Sequence, residues 1–159
     1  MRRTVILAAL AAAIAAPSAQ GLPRFGVLVP GRSLAGVRLG DTAAAVKKRL
    51  GGFYGICRTC SAPTLYFTYK PFAQQGLAVE LRSGRAAAVY TLWEPPLWRS
   101  TGGLRLGAPQ PTVPGLRTVA CRGYRAFVAT SPRALTAYYV VEGRLWGFGL
   151  VRPTLGVCR

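Results

Sequence analysis

Two of the four cysteines form a Cys-x-x-Cys motif, the pattern in this chain that most directly suggests chemistry. The motif is Cys57-Arg58-Thr59-Cys60. A redox motif of this kind needs its first sulfur at the amino terminus of a helix, where the helix stabilises the thiolate. Here Ser61-Ala62-Pro63 and then a strand pattern follow the motif. We therefore expect a structural disulfide, with a thiol–disulfide redox protein as the less favoured alternative.

The other two cysteines are Cys121 and Cys158. An even number of cysteines is typical of exported proteins with disulfide bonds, and four allow three pairings. Spacing favours Cys57 with Cys60, and the remaining pair flanks an intact strand pattern and would fix the carboxyl terminus. In the chain-entropy model the long loop would contribute roughly 3–4 kcal/mol and the short loop about 2 kcal/mol. A four-cysteine zinc site is less favoured, because no second Cys-x-x-Cys is present.

The sequence holds no histidine and only four acidic residues. Histidine is the commonest general base near neutral pH, so its absence argues against most hydrolases. The segment 31–35 (GRSLA) is faintly similar to a nucleophile elbow, but its serine has no histidine and no S-x-x-K lysine to activate it. Each acid has a structural explanation, in a cap, a strand, a turn or before two prolines: Asp41, Glu80, Glu142 and Glu94. We expect a protein that is not an enzyme and has no cofactor or bound metal.

Aromatic residues interleaved with arginines are the features that point to binding. This combination suits the recognition of proteins, glycans or polyanions. Aromatic side chains alternate between the two faces of a strand, so some would be exposed unless a second layer covers them. The candidate binding residues are Tyr66, Tyr69, Trp93, Trp98, Tyr138, Trp146 and Arg144. The segment Trp93–Trp98 (WEPPLW) could hold two halves of the chain together or form a loop that recognises a partner. We favour the structural role.

The chain is strongly basic, with a formal net charge of +17. Such a surface attracts polyanions. The basic residues are spread along the chain and form no block of five, so a nucleic-acid-binding tail and specific nucleic-acid recognition are not expected. Two interpretations stay open: attraction to anionic polymers of the cell wall, and a solubilising surface that follows genome composition.

Residues 1–20 have the pattern of a signal peptide. Arg2 and Arg3 precede an unbroken apolar run, Val5–Ala16, and small residues with a proline follow. The apolar run is shorter than the roughly 20 residues needed to cross a bilayer, so a permanent anchor is less favoured. No cysteine near the predicted cleavage region offers a site for a lipid anchor. We predict a secreted or extracytoplasmic protein whose mature form has no transmembrane anchor.

The predicted secondary structure falls into two similar halves. Residues 36–40 (GVRLG) recur as residues 103–107 (GLRLG). In the first half, Thr42–Leu50 has apolar residues at helical spacing between a capping side chain and two glycines, which predicts a helix. Period-two patterns predict three antiparallel strands after it. Those strands lie within 64–70, 77–82 and 85–92, and their counterparts lie within 124–130, 135–141 and 144–151.

The second half differs from the first at the position of the helix. Pro109, Pro111 and Pro114 leave room for at most one helical turn. We therefore predict an α+β fold of two degenerate copies of a short helix plus a three-stranded antiparallel sheet, with the second helix largely lost. Internal duplication is the economical explanation. The predicted boundaries are a signal peptide at 1–20, a first unit at 21–92, a linker at 93–102 and a shortened second unit at 103–159.

The helix entry GVRLGDTAAAVKKRLG, at 36–51, is similar to the repeats of small outer-membrane assembly lipoproteins of the BamE/SmpA type. It is also similar to the tandem units of secreted beta-lactamase inhibitory proteins. The opening PGRSLAGVRLG, at 30–40, resembles a group of uncharacterised secreted actinobacterial proteins. The resemblance implies a short helix beside a small antiparallel sheet, and a role in binding other proteins. The chain departs from the lipoproteins in lacking a lipidated cysteine, and from both named families in its proline-filled second helix.

The function that these features predict is binding. We expect a secreted or cell-envelope protein that recognises a protein partner through an aromatic and arginine-rich sheet face. The alternatives are an electrostatic binder of anionic cell-wall polymers and, less favoured, a Cys-x-x-Cys redox protein.

Overall fold

The computed structural model describes residues 22–159, so the predicted signal peptide lies outside the described residues. These described residues form two β-sheets and one short helix. In chain order the elements are β1 (Val27–Val29), β2 (Ser33–Leu34), α1 (Ala43–Leu50), β3 (Tyr54–Cys57), β4 (Thr64–Thr68), β5 (Gly76–Arg82), β6 (Arg85–Leu92), β7 (Arg99–Ser100), β8 (Arg117–Cys121), β9 (Tyr124–Thr130), β10 (Leu135–Val141) and β11 (Arg144–Val151).

The larger sheet has eight antiparallel strands in the order β3-β4-β5-β6-β11-β10-β9-β8. Its two central hairpins turn at Ser83-Gly84 and at Glu142-Gly143, where all four residues have positive φ. A two-residue turn of this kind matches the twist of the flanking strands, and it favours glycine in the second position. The predicted hairpins are confirmed by the pairing of β5 with β6 and of β10 with β11.

The helix α1 follows directly from the local sequence. The Thr42 side chain accepts a hydrogen bond from the Ala45 N–H at 3.2 Å, and Gly51 ends the helix with φ 96°. Val46 and Leu50 are buried, while the last turn carries three basic residues, where the helix dipole favours cations. The predicted helix over 42–50 is therefore confirmed.

The prediction of an α+β fold made of two helix-plus-sheet copies is wrong. The structure is 45% strand and 6% helix, and it is a β-rich fold with one short helix. Each half contributes four strands, not three, because β3 and β8 add an outer strand to each. The halves then merge through the β6–β11 pair into one continuous sheet. Residues 109–114 form no helix, because prolines cannot donate the backbone hydrogen bonds that a helix needs.

The smaller sheet has three strands in the order β2-β1-β7 and packs with α1 on one face of the large sheet. β1 pairs with β2 antiparallel and with β7 parallel. This face carries the main core, which includes Leu28, Val46, Phe67, Trp98 and Phe148. The segment that is predicted to link two units, 93–102, thus supplies both a strand and a fully buried tryptophan.

The opposite face of the large sheet carries a second, smaller core. The carboxyl-terminal segment after β11, here named the tail (residues 152–159), contributes Leu155 and Val157 to it. The Tyr139 hydroxyl donates a hydrogen bond to the Val157 carbonyl oxygen at 2.8 Å, which fixes the tail to β10. Both faces of the sheet are therefore buried at their centres.

The two predicted disulfides are confirmed. Cys57 and Cys60 are bonded across the connection between β3 and β4, and Cys121 bonds Cys158 in the tail. The second bond spans 37 residues and joins the edge strand β8 to the tail. Among residues 22–159, no helix has the length and apolar character needed to cross a bilayer.

Candidate functional site

Three large aromatic side chains line an open cleft at one end of the large sheet. We name this the aromatic cleft: Phe72, Trp93 and Trp146, with Lys70, Ala73, Gln74, Gln75 and Glu94 around them. Its volume is about 610 Å³. The Phe72 side chain is fully exposed, and Trp93 is 54% exposed. Exposed apolar patches on soluble proteins often mark sites where a partner or ligand binds.

Two loops and one strand irregularity bring these aromatic residues together. Phe72 lies in the loop between β4 and β5, and Trp93 directly follows β6. In β11 the register shifts beside Trp146, because Tyr139 pairs with Gly147 whereas Val140 pairs with Leu145. A bulge leaves one residue unpaired and redirects its side chain. The Trp146 ring then meets the Trp93 ring edge to face, with 6.0 Å between centroids.

The backbone of the aromatic cleft is strained at three positions. Phe72, Trp93 and Glu94 have φ of 59°, 49° and 48°, in the left-handed region that favours glycine. Such conformations cost of order 1–3 kcal/mol each and are concentrated at functional sites. Only one side-chain hydrogen bond joins the two loops among the described residues: the Gln75 amide donates to the Glu94 carbonyl oxygen at 3.4 Å.

Trp146 also lines a smaller pocket on the tail side of the sheet. This inner pocket has a volume of about 100 Å³ and is almost wholly apolar. Its walls are Tyr90, Thr91, Leu92, Tyr124, Tyr139, Trp146 and Arg159. A cavity of about 150 Å³ accommodates benzene, so this pocket suits a group somewhat smaller than an aromatic ring. A branched aliphatic side chain fits this description.

One buried ionic contact holds the tail against the inner pocket. Glu80 is 7% exposed and accepts a hydrogen bond from Arg82 at 3.0 Å, while the Arg159 Nε lies 3.8 Å from its other oxygen. The Arg159 guanidinium also lies 5.9 Å from the Tyr90 ring centroid, within the range of a cation–π interaction. The one buried acid of the described chain thus positions the last residue.

Burial changes the acidity of the tyrosines around the inner pocket. Burial raises the pKa of Tyr90 and of Tyr139 far above the usual 10.0, because a charged phenolate is poorly solvated there. Tyr66 and Glu80 raise the pKa of Tyr90 further, and the nearby Arg159 opposes the shift in both tyrosines. Both hydroxyls therefore stay protonated at neutral pH, and that of Tyr139 donates a hydrogen bond to the Val157 carbonyl oxygen.

Of the residues predicted for binding, the structure brings Trp93 and Trp146 together and places Trp98 and Tyr69 elsewhere. Trp98 is 1% exposed, and its indole N–H donates to the Tyr69 hydroxyl at 2.7 Å. Burial raises the pKa of Tyr69, and this hydrogen bond partly offsets the shift. The Trp98 ring lies directly against the Gly26 backbone, where any side chain would overlap it. Trp98 thus holds the small sheet to the core.

The remaining three predicted residues lie apart from the aromatic cleft. Tyr138 is buried on the main-core face, with its ring edge to face against Phe148 and its pKa raised by burial. Tyr66 lies on the opposite face, with its hydroxyl 3.6 Å from the Cys60 sulfur. The Arg144 guanidinium donates to the Gly107 carbonyl oxygen at 2.7 Å and so fixes the GLRLG loop to β11.

The sequence interpretation missed Phe72, the two glutamines and Arg159. The signal for Phe72 was its position in the segment 71–76 (PFAQQG), where a large aromatic residue stands between a proline and polar residues. A loop phenylalanine in such surroundings has no strand or helix periodicity that would bury it. Arg159 carried no local signal, because its place depends on the Cys121–Cys158 bond.

The geometry around Cys57 does not favour redox chemistry. In the described chain all four cysteines are in disulfide bonds. The Cys57–Cys60 bond lies between two strands, and α1 ends at Leu50, before the motif. No helix amino terminus is therefore directed at the Cys57 sulfur among residues 22–159, so the usual means of stabilising its thiolate is missing there.

Comparisons of the chain with protein-family models, with curated proteins and with solved structures found no match. The resemblance to the outer-membrane assembly lipoproteins and to the beta-lactamase inhibitory proteins therefore stays a prediction. The function has to be argued from the aromatic cleft itself.

Proposed function

We propose that this chain is a secreted, non-enzymatic binding protein that recognises a protein partner through the aromatic cleft. The observation that carries the proposal is the exposure of Phe72 and Trp93 on a backbone held in the left-handed region. Folding does not select such an arrangement, since it leaves apolar surface in water and adds backbone strain. A partner that covers both rings would remove their apolar surface from water, and this burial would favour binding.

The cleft replaces the sheet face as the proposed surface of recognition. The centres of both sheet faces are occupied, as Val89 on the main-core face and Ala137 on the tail face are each fully buried. A partner therefore has access to the loop end of the sheet, where aromatic residues of three elements converge. Tryptophan is among the residues that most often dominate the energy of protein interfaces.

The shape of the site favours a particular kind of partner. The inner pocket accepts one branched aliphatic side chain, and Trp146 separates it from the open aromatic cleft. The net charge of +17 attracts an acidic chain and repels a basic one. We therefore propose an acidic protein segment that carries an aliphatic anchor residue for the inner pocket and apolar residues for Phe72 and Trp93.

Two disulfides are compatible with an extracytoplasmic site of action. Oxidising compartments allow such bonds to persist. The proposal of secretion depends in addition on the signal-peptide pattern of residues 1–20, and recovery of a mature chain that begins near residue 20 from an expressing culture would support it.

A displayed library of random twelve-residue peptides provides a direct test of the proposed recognition. We expect selection on the wild-type protein to enrich acidic peptides with a leucine, isoleucine or valine anchor. Trp93→Ala should weaken the binding of an enriched peptide by tenfold or more, since hot-spot aromatic residues contribute about 2 kcal/mol or more. The measurement is a titration by fluorescence anisotropy at 50 mM and 500 mM salt.

The matched control is Phe53→Ala. Phe53 is also an exposed aromatic residue, at 42%, but it lies just before β3 and outside the aromatic cleft. The proposal predicts that this variant binds like the wild type. Equal losses in the two variants, or binding that disappears entirely at 500 mM salt, would contradict recognition by the cleft. Binding of N-acetylglucosamine oligomers in place of any peptide would likewise contradict a protein partner.

A further inference from the structure

A second cleft lies where the small sheet meets the large one, and it is lined by three arginines. We name it the arginine cleft: Arg32, Arg38 and Arg133, with Gly31, Leu39 and Ala134 between them. Its volume is about 280 Å³. It shares no lining residue with the aromatic cleft or the inner pocket. The three arginines come from three separate connections of the chain.

The first wall of the arginine cleft is the turn between β1 and β2. Gly31 has φ 70°, and the Arg32 N–H donates to the Val29 carbonyl oxygen at 3.0 Å. Proline followed by glycine at the centre of such a turn fixes its shape. The Gly31 N–H donates to the Thr136 hydroxyl at 2.8 Å, and Thr136 is buried in β10. The backbone that carries Arg32 is therefore anchored to the large sheet.

The other two walls are held in the same way. In the turn between β9 and β10, the Ser131 hydroxyl accepts a hydrogen bond from the Ala134 N–H at 3.1 Å. This hydrogen bond closes the turn that contains Arg133. In the segment before α1, the Arg38 N–H donates to the Asp41 carboxylate at 2.9 Å. Each arginine thus extends from a backbone position that is fixed before any ligand binds.

Within the described part of the chain, no acidic side chain forms a salt bridge with these three guanidinium groups. The salt bridges found among residues 22–159 join Glu80 to Arg82 and to Arg159, both outside the arginine cleft. Asp41, the nearest acid along the chain, accepts a hydrogen bond from the Arg38 backbone and forms no ion pair with its side chain. Arginine does not lose its proton in proteins, so the three residues keep their positive charges.

We propose that the arginine cleft binds a phosphate group. Three cationic forks around one concave site match a tetrahedral anion, which offers more acceptor oxygens and more charge than a carboxylate. A bound phosphate would accept hydrogen bonds from the guanidinium groups and offset their positive charge. The phosphate can be free in solution or part of a phosphodiester polymer, and the two sources present the same chemistry to the cleft.

Isothermal titration calorimetry on the purified protein, with both disulfides intact, tests this site. The probes are sodium phosphate and a short glycerol-phosphate oligomer at equal phosphate concentration, each against sodium chloride at equal ionic strength. We expect binding of at least one probe, weakened by about tenfold or more in Arg133→Gln, because a hydrogen bond to a charged group is lost. A higher affinity for the oligomer identifies the polymer as the source, and a higher affinity for free phosphate identifies the ion.

Arg122→Gln is the charge-matched control. Arg122 is exposed in the turn between β8 and β9, and it does not line the arginine cleft. Both variants remove one positive charge, so the diffuse attraction of a basic protein for anions falls equally in the two. The proposal predicts a change of less than twofold in Arg122→Gln. Equal weakening in both variants, or heat of binding no greater than that of the chloride control, overturns the proposed site.

Discussion

Trp93 and Trp98 lie only five residues apart in the same connection between β6 and β7, yet they occupy opposite environments. Trp98 is 1% exposed and Trp93 is 54% exposed. The ring of Trp98 covers the Gly26 backbone and its N–H meets the Tyr69 hydroxyl. The ring of Trp93 packs edge to face with the ring of Trp146, 6.0 Å between centroids.

This difference separates two uses of the same residue type within one loop. Trp98 precedes β7, whose parallel pairing with β1 closes the small sheet, so its burial connects that sheet to the main core. Trp93 directly follows β6, has a left-handed backbone and is 54% exposed to solvent. Trp98 contributes to the stability of the fold, and Trp93 adds exposed apolar surface.

Trp98→Ala should produce the largest change in stability and the clearest contrast. Removing a buried aromatic side chain leaves a cavity and typically costs 3–5 kcal/mol of the free energy of unfolding. Here the Tyr69 hydroxyl also loses its donor. Trp93→Ala should cost less than about 1 kcal/mol, since exposed positions seldom contribute more. Urea unfolding monitored by far-UV circular dichroism measures both values.

The two tryptophans would have to be regarded as equivalent if both variants lost the same free energy. That result would mean that the connection between β6 and β7 folds as one structural unit, and that the exposure of Trp93 has no separate role. A Trp93→Gly variant more stable than Trp93→Ala would strengthen the contrast, because glycine relieves the strain of the left-handed backbone and alanine does not.

The sequence predicted local structure well where periodicity or turn chemistry was strong. The helix after the Thr42 cap and the six predicted strands, β4 to β6 and β9 to β11, follow directly from helical spacing, alternation and Gly-containing turns. The fold class was wrong because β3 and β8 are short and carry little alternation, and because pairing between β6 and β11 joins residues far apart in the chain. Long-range pairing of this kind has no local signal.

The candidate site was predicted only in part for the same reason. Trp93 and Trp146 were named as candidates for binding, but their meeting depends on a bulge in β11 that the sequence pattern does not reveal. Tyr138 and Trp98 were named for the same role and are buried, because a second layer covers the face on which they lie. Residue type indicates which side chains can bind, and the covering layers decide which of them are free.

Removing the tail disulfide sharpens the contrast between buried and exposed aromatic surface. In the double variant Cys121→Ser/Cys158→Ser the tail is free to leave the inner pocket, which would expose Tyr139 and the inner side of Trp146. The chain-entropy model gives a loss of roughly 3–4 kcal/mol for this long loop. The Cys57–Cys60 bond closes a much shorter loop, so Cys57→Ser/Cys60→Ser should lose about 2 kcal/mol in the same model.

Chemical unfolding of the two double variants, compared with the oxidised wild type, measures this order. A dye that fluoresces on apolar surface should bind more strongly to the Cys121→Ser/Cys158→Ser protein below its unfolding transition. A larger loss from the short bridge than from the long one would contradict the order that the chain-entropy model gives, and unchanged dye binding would show that the long bridge does not hold the tail on Tyr139.

Tyr139→Phe has a smaller expected effect than removal of either disulfide, and it tests the contact between the tail and Tyr139 through the pH dependence of stability. Tyr139 is 2% exposed, and burial raises the pKa of its hydroxyl well above the 10.0 of an unfolded chain. The folded protein therefore holds this proton more tightly than the unfolded chain does. The raised pKa therefore makes a contribution to the free energy of unfolding that is fully present below pH 10. This contribution declines as the pH rises above 10, by up to about 1.4 kcal/mol per pH unit for one proton.

Phenylalanine does not titrate, so the variant should lose stability less steeply than the wild type between pH 10 and 11.5. Below pH 10 it should be less stable by about 1 kcal/mol, since the Val157 carbonyl oxygen loses its hydrogen bond. The decline does not vanish, because burial also raises the pKa of Tyr90. Urea unfolding at several values of pH gives both slopes. Identical slopes would show that Tyr139 is accessible to water in solution and that the tail does not pack against its hydroxyl.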